Sequence, residues 1–141
     1  MNKEMIERLI EEAKRVRENA YAPYSGFQVG AALLCCSGEI YSGCNVENAS
    51  FGATLCAERN AIAAAVTAGQ KKFEAIAVYA EDEQIVPCGI CLQVLSEFSM
   101  DITVICCGKN TVRQFQLNEL LPYSFTKFDT NKETEINSEL N

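Results

Sequence analysis

Two short segments, Cys56-Ala57-Glu58-Arg59 and Pro87-Cys88-Gly89-Ile90-Cys91, stand thirty-two positions apart and offer three thiols and one carboxylate in a chain without histidine. If the three sulfurs serve one metal ion, the fold must carry both segments to a single point. That requirement constrains the architecture more than any other feature of the chain. Zinc suits this donor set: catalytic zinc takes three protein ligands and leaves its fourth position to water, whereas a structural site closes with four. Cys56 falls in the first turn of one predicted helix, and Cys88 and Cys91 fall at the start of another. All three sulfurs therefore sit where a helix dipole is positive, which lowers thiol pKa values and favours thiolates. Cys88 and Cys91, three apart on a helical turn, reach one ion from the same side, and Pro87 suits the approach to a helix start.

Three thiolates leave a zinc centre negatively charged, so its water is a weaker acid than it is beside three neutral imidazoles. Arg59, three residues after Cys56 on the same helix face, can donate to the sulfurs and withdraw that charge. Glu58 shares the helix start with Cys56 but points in another direction, which suits a general base beside the metal's water and not a ligand. Simpler readings compete. An acidic residue in a first helical turn needs only the dipole to justify it, and Arg59 as a surface side chain needs no partner. A single Cys-x-x-Cys also fits a redox pair, and Cys44 is the credible fourth ligand of a closed structural module acting as an interaction protein.

At 141 residues and 48% hydrophobic composition, the chain fits one domain with a packed core. Its 12 Lys and Arg against 19 Asp and Glu give a formal charge of −7, which works against a surface that must neutralise phosphates, so no nucleic-acid partner is expected. Eight cysteines would suit a secreted disulfide framework. The first residues, Met1-Asn2-Lys3-Glu4-Met5-Ile6-Glu7-Arg8, place charges where a signal peptide needs an apolar run, and a cytoplasmic location is expected. No stretch approaches the roughly 20 apolar residues of a membrane span, so no membrane partner is expected either. The doublets Cys35-Cys36 and Cys106-Cys107 lie in strand-like apolar runs and are expected to be buried as small hydrophobes.

Met5, Leu9, Ala13 and Val16 recur at helical spacing and predict a first helix over residues 2–19. Residues 27–35 and 39–45 read as an antiparallel hairpin around Ser37-Gly38. An Ala-rich helix follows over residues 55–68, with Thr54 as its expected N-cap and Gly69 as its stop. Next come a strand over 75–80, an acidic turn at Glu81-Asp82-Glu83, a helix from Cys88 to Phe98, and strands over 102–107 and 111–116. A helical turn over 117–121 closes at Pro122. This order suggests an α/β fold, with a mixed sheet between helix layers. Residues 1–128 form the expected domain, and 129–141 read as an acidic, disordered tail.

The two cysteine segments resemble those of the cytidine deaminase family, specifically its small nucleoside-acting branch with three cysteine ligands. The likeness extends to Tyr21-Ala22-Pro23-Tyr24-Ser25, to Phe27-Gln28-Val29-Gly30-Ala31-Ala32-Leu33, to Gly43-Cys44-Asn45-Val46-Glu47-Asn48-Ala49-Ser50, and to Leu120-Leu121-Pro122 with Phe125. It implies a three-layer α/β/α cytidine deaminase-like fold with a mixed five-stranded sheet. It also implies hydrolytic deamination of cytidine and deoxycytidine by the general mechanism of zinc deaminases. In that mechanism Cys56, Cys88 and Cys91 hold zinc, a water attacks C4, and Glu58 accepts its proton, protonates N3 and helps deliver a proton to the leaving amine.

By the same resemblance Asn45 and Glu47 hold the sugar, Phe27 packs by the pyrimidine, and Ala57 and the Cys88 carbonyl meet the base through the backbone. Phe125 then stacks on the base from a neighbouring subunit of a homotetramer. A carboxylate at Glu47 accepts from a ribose hydroxyl and repels a phosphate, which argues for a nucleoside over a nucleotide. Two alternatives stand beside these roles: Asn45 and Glu47 as turn-shaping residues, and Phe27 and Phe125 as core aromatics. A deaminase acting on another amino-bearing nucleoside or nucleotide is the rival enzyme. Two positions depart from the family pattern, Leu92 where an Arg is common and Phe51 where a Tyr is usual.

Overall fold

The computed structural model describes residues 1–126; the tail expected over 129–141 lies outside the described residues. Helix α1 (Lys3–Arg17) buries Leu9, Ala13 and Val16, the stripe its periodicity marks. Asn2 opens it by accepting the Met5 amide at 2.9 Å, and Lys14, Arg15 and Arg17 suit the negative end of its dipole. The chain continues through β1 (Gly30–Cys35), β2 (Ile40–Cys44), a 3-10 turn (Phe51–Ala53), α2 (Ala57–Thr67) and β3 (Phe73–Tyr79). It ends with α3 (Gly89–Ser96), β4 (Thr103–Cys107), β5 (Val112–Gln116) and a short α4 (Leu117–Leu120). Among the described residues no helix is long and apolar enough to cross a membrane.

The strands form one five-stranded sheet in the order β2-β1-β3-β4-β5. Only β3 and β4 run parallel, because α3 supplies the crossover that a parallel pair needs. Successive side chains on a strand face opposite ways, so the central strands feed two cores. Leu33, Ile76, Val78 and Val104 pack with Ala61 and Ile62 of α2 and Leu95 of α3. Leu34, Ala77 and Ile105 pack with Leu9 and Ala13 of α1. The result is the expected α/β/α arrangement. Each fully buried Leu or Ile contributes about 1.5–3 kcal/mol.

Three local expectations shift. The first strand begins at Gly30 and not at Phe27, because the Val29 backbone is taken up by Asn45: its Oδ1 accepts from the Val29 amide at 2.9 Å and its own amide donates to the Val29 carbonyl at 3.2 Å. Thr54 is not the cap of α2; Cys56 occupies that position, just as Cys88 does on α3, and neither makes a side-chain capping bond. Cys106 and Cys107 are buried as expected, but Cys36 is exposed, since β1 ends at Cys35 and the chain turns there.

The small residues of α2 allow a close approach to β2. A Cβ on Gly43 would lie 2.5 Å from the Ala61 nitrogen and 2.6 Å from the Ala57 oxygen, so the helix sits where only glycine leaves room. Asn60 Nδ2 donates to the Cys44 carbonyl at 2.8 Å and pins the same contact. These two features fix the start of α2 against the end of the hairpin.

Candidate active site

Helices α2 and α3 open toward each other. Their cap residues Cys56 and Cys88 place their Sγ atoms 3.8 Å apart, and Cys91, buried on the first turn of α3, completes a group whose ligand atoms all lie within 4.8 Å of one another. Tetrahedral zinc with Zn–S bonds of about 2.3 Å requires sulfurs about 3.8 Å apart, so the donor set fits zinc in both chemistry and spacing. Cys44 is not part of the group, which among the described residues consists of these three cysteines. A closed four-ligand module therefore loses its expected fourth thiol.

Arg59 stands beside the sulfurs. Its Nη2 donates to Cys56 Sγ at 3.5 Å and to the Thr54 carbonyl at 3.1 Å, while its buried Nε has no hydrogen-bond partner among the described residues. The Cys56 thiol is pulled down to about 5, first by a hydrogen bond from Cys91 and then by Arg59. Cys91 is pushed up because it supplies that hydrogen bond, and burial adds to the effect. Arg59 and the neighbouring thiol thus favour a thiolate on Cys56. A divalent cation supplies the charge that releases the remaining protons.

Glu58 lies in the first turn of α2 and is 3% exposed, so the dipole alone does not explain it; burying a carboxylate is costly. Burial pushes its carboxyl up to about 7, with the Cys56 thiolate adding to the rise and Cys91 opposing it. A group that titrates near neutrality is suited to both take and return a proton.

Glu58 lines a cavity of about 180 Å³ with Phe27, Asn45, Cys56, Ala57 and Cys88. Phe27 is 40% exposed and faces this space, which rules out the core reading of that ring. Asn45 is buried and spends one valence of each polar atom on the wall: Oδ1 accepts from Val29 N, and Nδ2 donates to the Phe27 carbonyl at 2.8 Å.

Glu47 lies apart from that cavity. It lines a neighbouring cavity of about 250 Å³ with Tyr24, Ser25, Phe51 and Thr54, and Thr54 borders both spaces. Its Oε1 accepts from the Tyr24 and Ser25 amides at 3.0 and 3.1 Å, and its Oε2 accepts from Ser25 Oγ. These bonds, the Ser25 hydroxyl first, hold the carboxyl below the usual carboxylate range. Asn45 and Glu47 thus brace turns as well as facing cavities. Phe51 meets Tyr24 edge to face, 5.5 Å between ring centres, and Leu92 is buried in the core.

Phe125 borders neither cavity. It is 77% exposed, so it is not a core aromatic, and its carbonyl accepts from Gln93 Nε2 on α3 at 2.9 Å. Thr54, Ile85 and Val86 also line the Glu58 cavity. Nothing in the sequence marks Ile85 and Val86 except their place just before Pro87, and Thr54 carries the pattern of a helix cap it does not form.

Residues 3–107 match the family described as the cytidine and deoxycytidylate deaminase zinc-binding region. The cytidine deaminase of Sporosarcina psychrophila is 46% identical over 128 residues, covering 88% of this chain and 93% of that protein. That of Halalkalibacterium halodurans is 46% identical over 126 residues, covering 87% of this chain and 96% of that protein. The crystal structure of the cytidine deaminase from Burkholderia pseudomallei superposes with a TM-score of 0.81 at 45% identity, covering 89% of this chain and all of that one.

Proposed function

The chain belongs to the cytidine and deoxycytidylate deaminase family, and on that premise we propose that it hydrolyses cytidine and deoxycytidine to uridine and deoxyuridine plus ammonia, a step of pyrimidine salvage. The observation that carries this reading is a buried carboxyl, Glu58, lining one cavity beside three convergent sulfurs. Cys56, Cys88 and Cys91 hold the zinc, which when bound acts as a Lewis acid that makes water a nucleophile near neutral pH.

Glu58 moves the protons. It accepts one from the attacking water and places it on N3 of the base, then takes the second from the hydroxyl formed at C4 and delivers it to the departing amine as the C4–N bond breaks, so that water and cytidine leave as uridine and ammonia. Arg59 draws charge from the Cys56 sulfur through Nη2, which makes the three-sulfur centre a stronger acid. Phe27 forms one face of the base pocket, and the backbone at Ala57 and Cys88 meets its polar edge. Asn45 keeps an acceptor valence and a donor hydrogen for the sugar, and Glu47 keeps a lone pair on Oε2 for a ribose hydroxyl. The sugar then extends past Thr54 into the second cavity, whose carboxylate disfavours a phosphate.

Phe125 supports an assembly with shared sites, because its exposed ring lies outside its own cavity and is free to serve another. We assign a homotetramer, a cytoplasmic location, and residues 1–128 as the catalytic domain. Ammonia release from cytidine, deoxycytidine, their monophosphates, adenosine and guanine, measured with zinc content on the same sample, tests the reading. The expected outcome is turnover of the first two with about one zinc per chain. Turnover of a monophosphate alone defeats it.

A further inference from the structure

The loop that joins β3 to α3 supplies the Cys88 sulfur and, through Ile85 and Val86, part of the wall of the Glu58 cavity. It is fastened from outside the site, by the turn between β4 and β5. Glu83 Oε1 accepts from the Asn110 amide at 2.9 Å, and Oε2 accepts from Thr111 Oγ1 at 2.6 Å. The Thr111 hydroxyl is the main reason the Glu83 carboxyl lies below the usual carboxylate range, which keeps it ionised at neutral pH. A Cβ on Gly108 would lie 2.7 Å from Glu83 Cα and 2.9 Å from the Asp82 carbonyl, so turn and loop touch backbone to backbone.

A second fastening stands two residues on. Arg113 of β5 donates from Nη2 to the Ile85 carbonyl at 2.8 Å, and its guanidinium lies 5.6 Å from the Phe115 ring centre. Buried Pro87 then leads into Cys88 with a fixed backbone angle.

We propose that Glu83 and Arg113 are positioning residues: gripped by Asn110 and Thr111 at one point and by Arg113 at the other, the loop sets the Ile85-Val86 wall and the placement of the Cys88 sulfur. Magnitudes separate this role from a general contribution to folding. Partly exposed hydrogen bonds of this kind contribute only modestly to global stability. A metal site, in contrast, tolerates only about 0.2 Å of error in its ligand distances, and substrate misplacement of about 1 Å costs about a hundredfold in rate. A loosened loop therefore harms the site well before it harms the fold. The catalytic consequence rests on the deaminase reading above; the consequence for the metal does not.

The test uses the zinc-loaded full chain with Glu83→Ala, Glu83→Gln, Thr111→Val and, as a control on the opposite face, Glu12→Ala, which breaks the bonds to Arg15 and Ser42. The readouts are the rate of zinc transfer to a chromogenic chelator, KM and kcat for cytidine per bound zinc, and melting temperature. Glu83→Ala and Thr111→Val are expected to speed zinc transfer about tenfold and raise KM about fivefold with kcat changed less. Glu83→Gln is expected to recover part of both, because its amide oxygen still accepts from Asn110. Zinc transfer and KM that stay at wild-type values, or move no more than in the Glu12→Ala control, overturn the proposal. If Glu83→Ala does not fold, Thr111→Val carries the comparison. If the wild type leaves cytidine untouched the deaminase reading fails, while the zinc-transfer arm still decides the fastening.

Discussion

Glu58 occupies a position that opposes stability. Its carboxyl is raised in the folded protein, from about 4.5 to about 7 by burial, so the folded state keeps a proton that the unfolded chain has released. Any stability this confers is complete below the unfolded value and is lost as pH rises through the folded one. Glu58→Gln removes the burden, and in the metal-free protein at pH 8 it is expected to stabilise by up to about 3 kcal/mol in denaturant titrations, with no gain below about pH 4.5. The same substitution keeps zinc and lowers cytidine turnover about 10²- to 10⁴-fold. Loss of the metal on substitution, or unchanged turnover, contradicts the role given to Glu58. The convergence of the three cysteines beside Glu58 was legible because both segments open predicted helices and put their sulfurs at the helix starts. Ile85 and Val86 were not, since an apolar pair in a loop acquires meaning only when Glu83 and Arg113 fix where that loop lies.

At the scale of elements, the contact between β2 and α2 decides where the Cys56 sulfur stands. Gly43→Ala drives a methyl group into the backbone at Ala57 and Ala61. Relief requires α2 to move, and overpacking of this kind costs about 1–3 kcal/mol. The helix carries Cys56 at its cap and Glu58 on its first turn, so zinc content and turnover are expected to fall in protein that still melts cooperatively, measured by metal analysis and thermal denaturation. A variant with full zinc and activity shows that the contact does not position the site. The sheet itself was readable from the sequence because helices cover both faces, leaving β1, β3 from Ala75 onward and β4 from Val104 onward as continuous apolar runs. Element ends were less so. Cys56 replaces Thr54 at the head of α2, and the stretch before Gly30 leaves the strand for the side chain of Asn45; both depend on partners distant in sequence.

For the whole molecule, Phe125 stands outward and borders neither cavity of its own chain. If its ring serves a neighbouring chain, Phe125→Ala lowers kcat/KM about tenfold while leaving zinc content and the fold of each chain unchanged. Mixing that variant with Glu58→Gln, after dissociation and reassembly, is expected to restore activity. Each mixed pair can join Glu58 from one chain with Phe125 from the other. Reassembled mixtures that stay inactive contradict the sharing of sites. A different consequence follows from the order of the ligands along the chain. Cys56 precedes β3 and Cys88 and Cys91 follow it, so the three sulfurs are brought together across the central strand of the sheet. A metal ion shared by them would staple the segments on either side of that strand, and its free energy of binding would add to the stability of the fold.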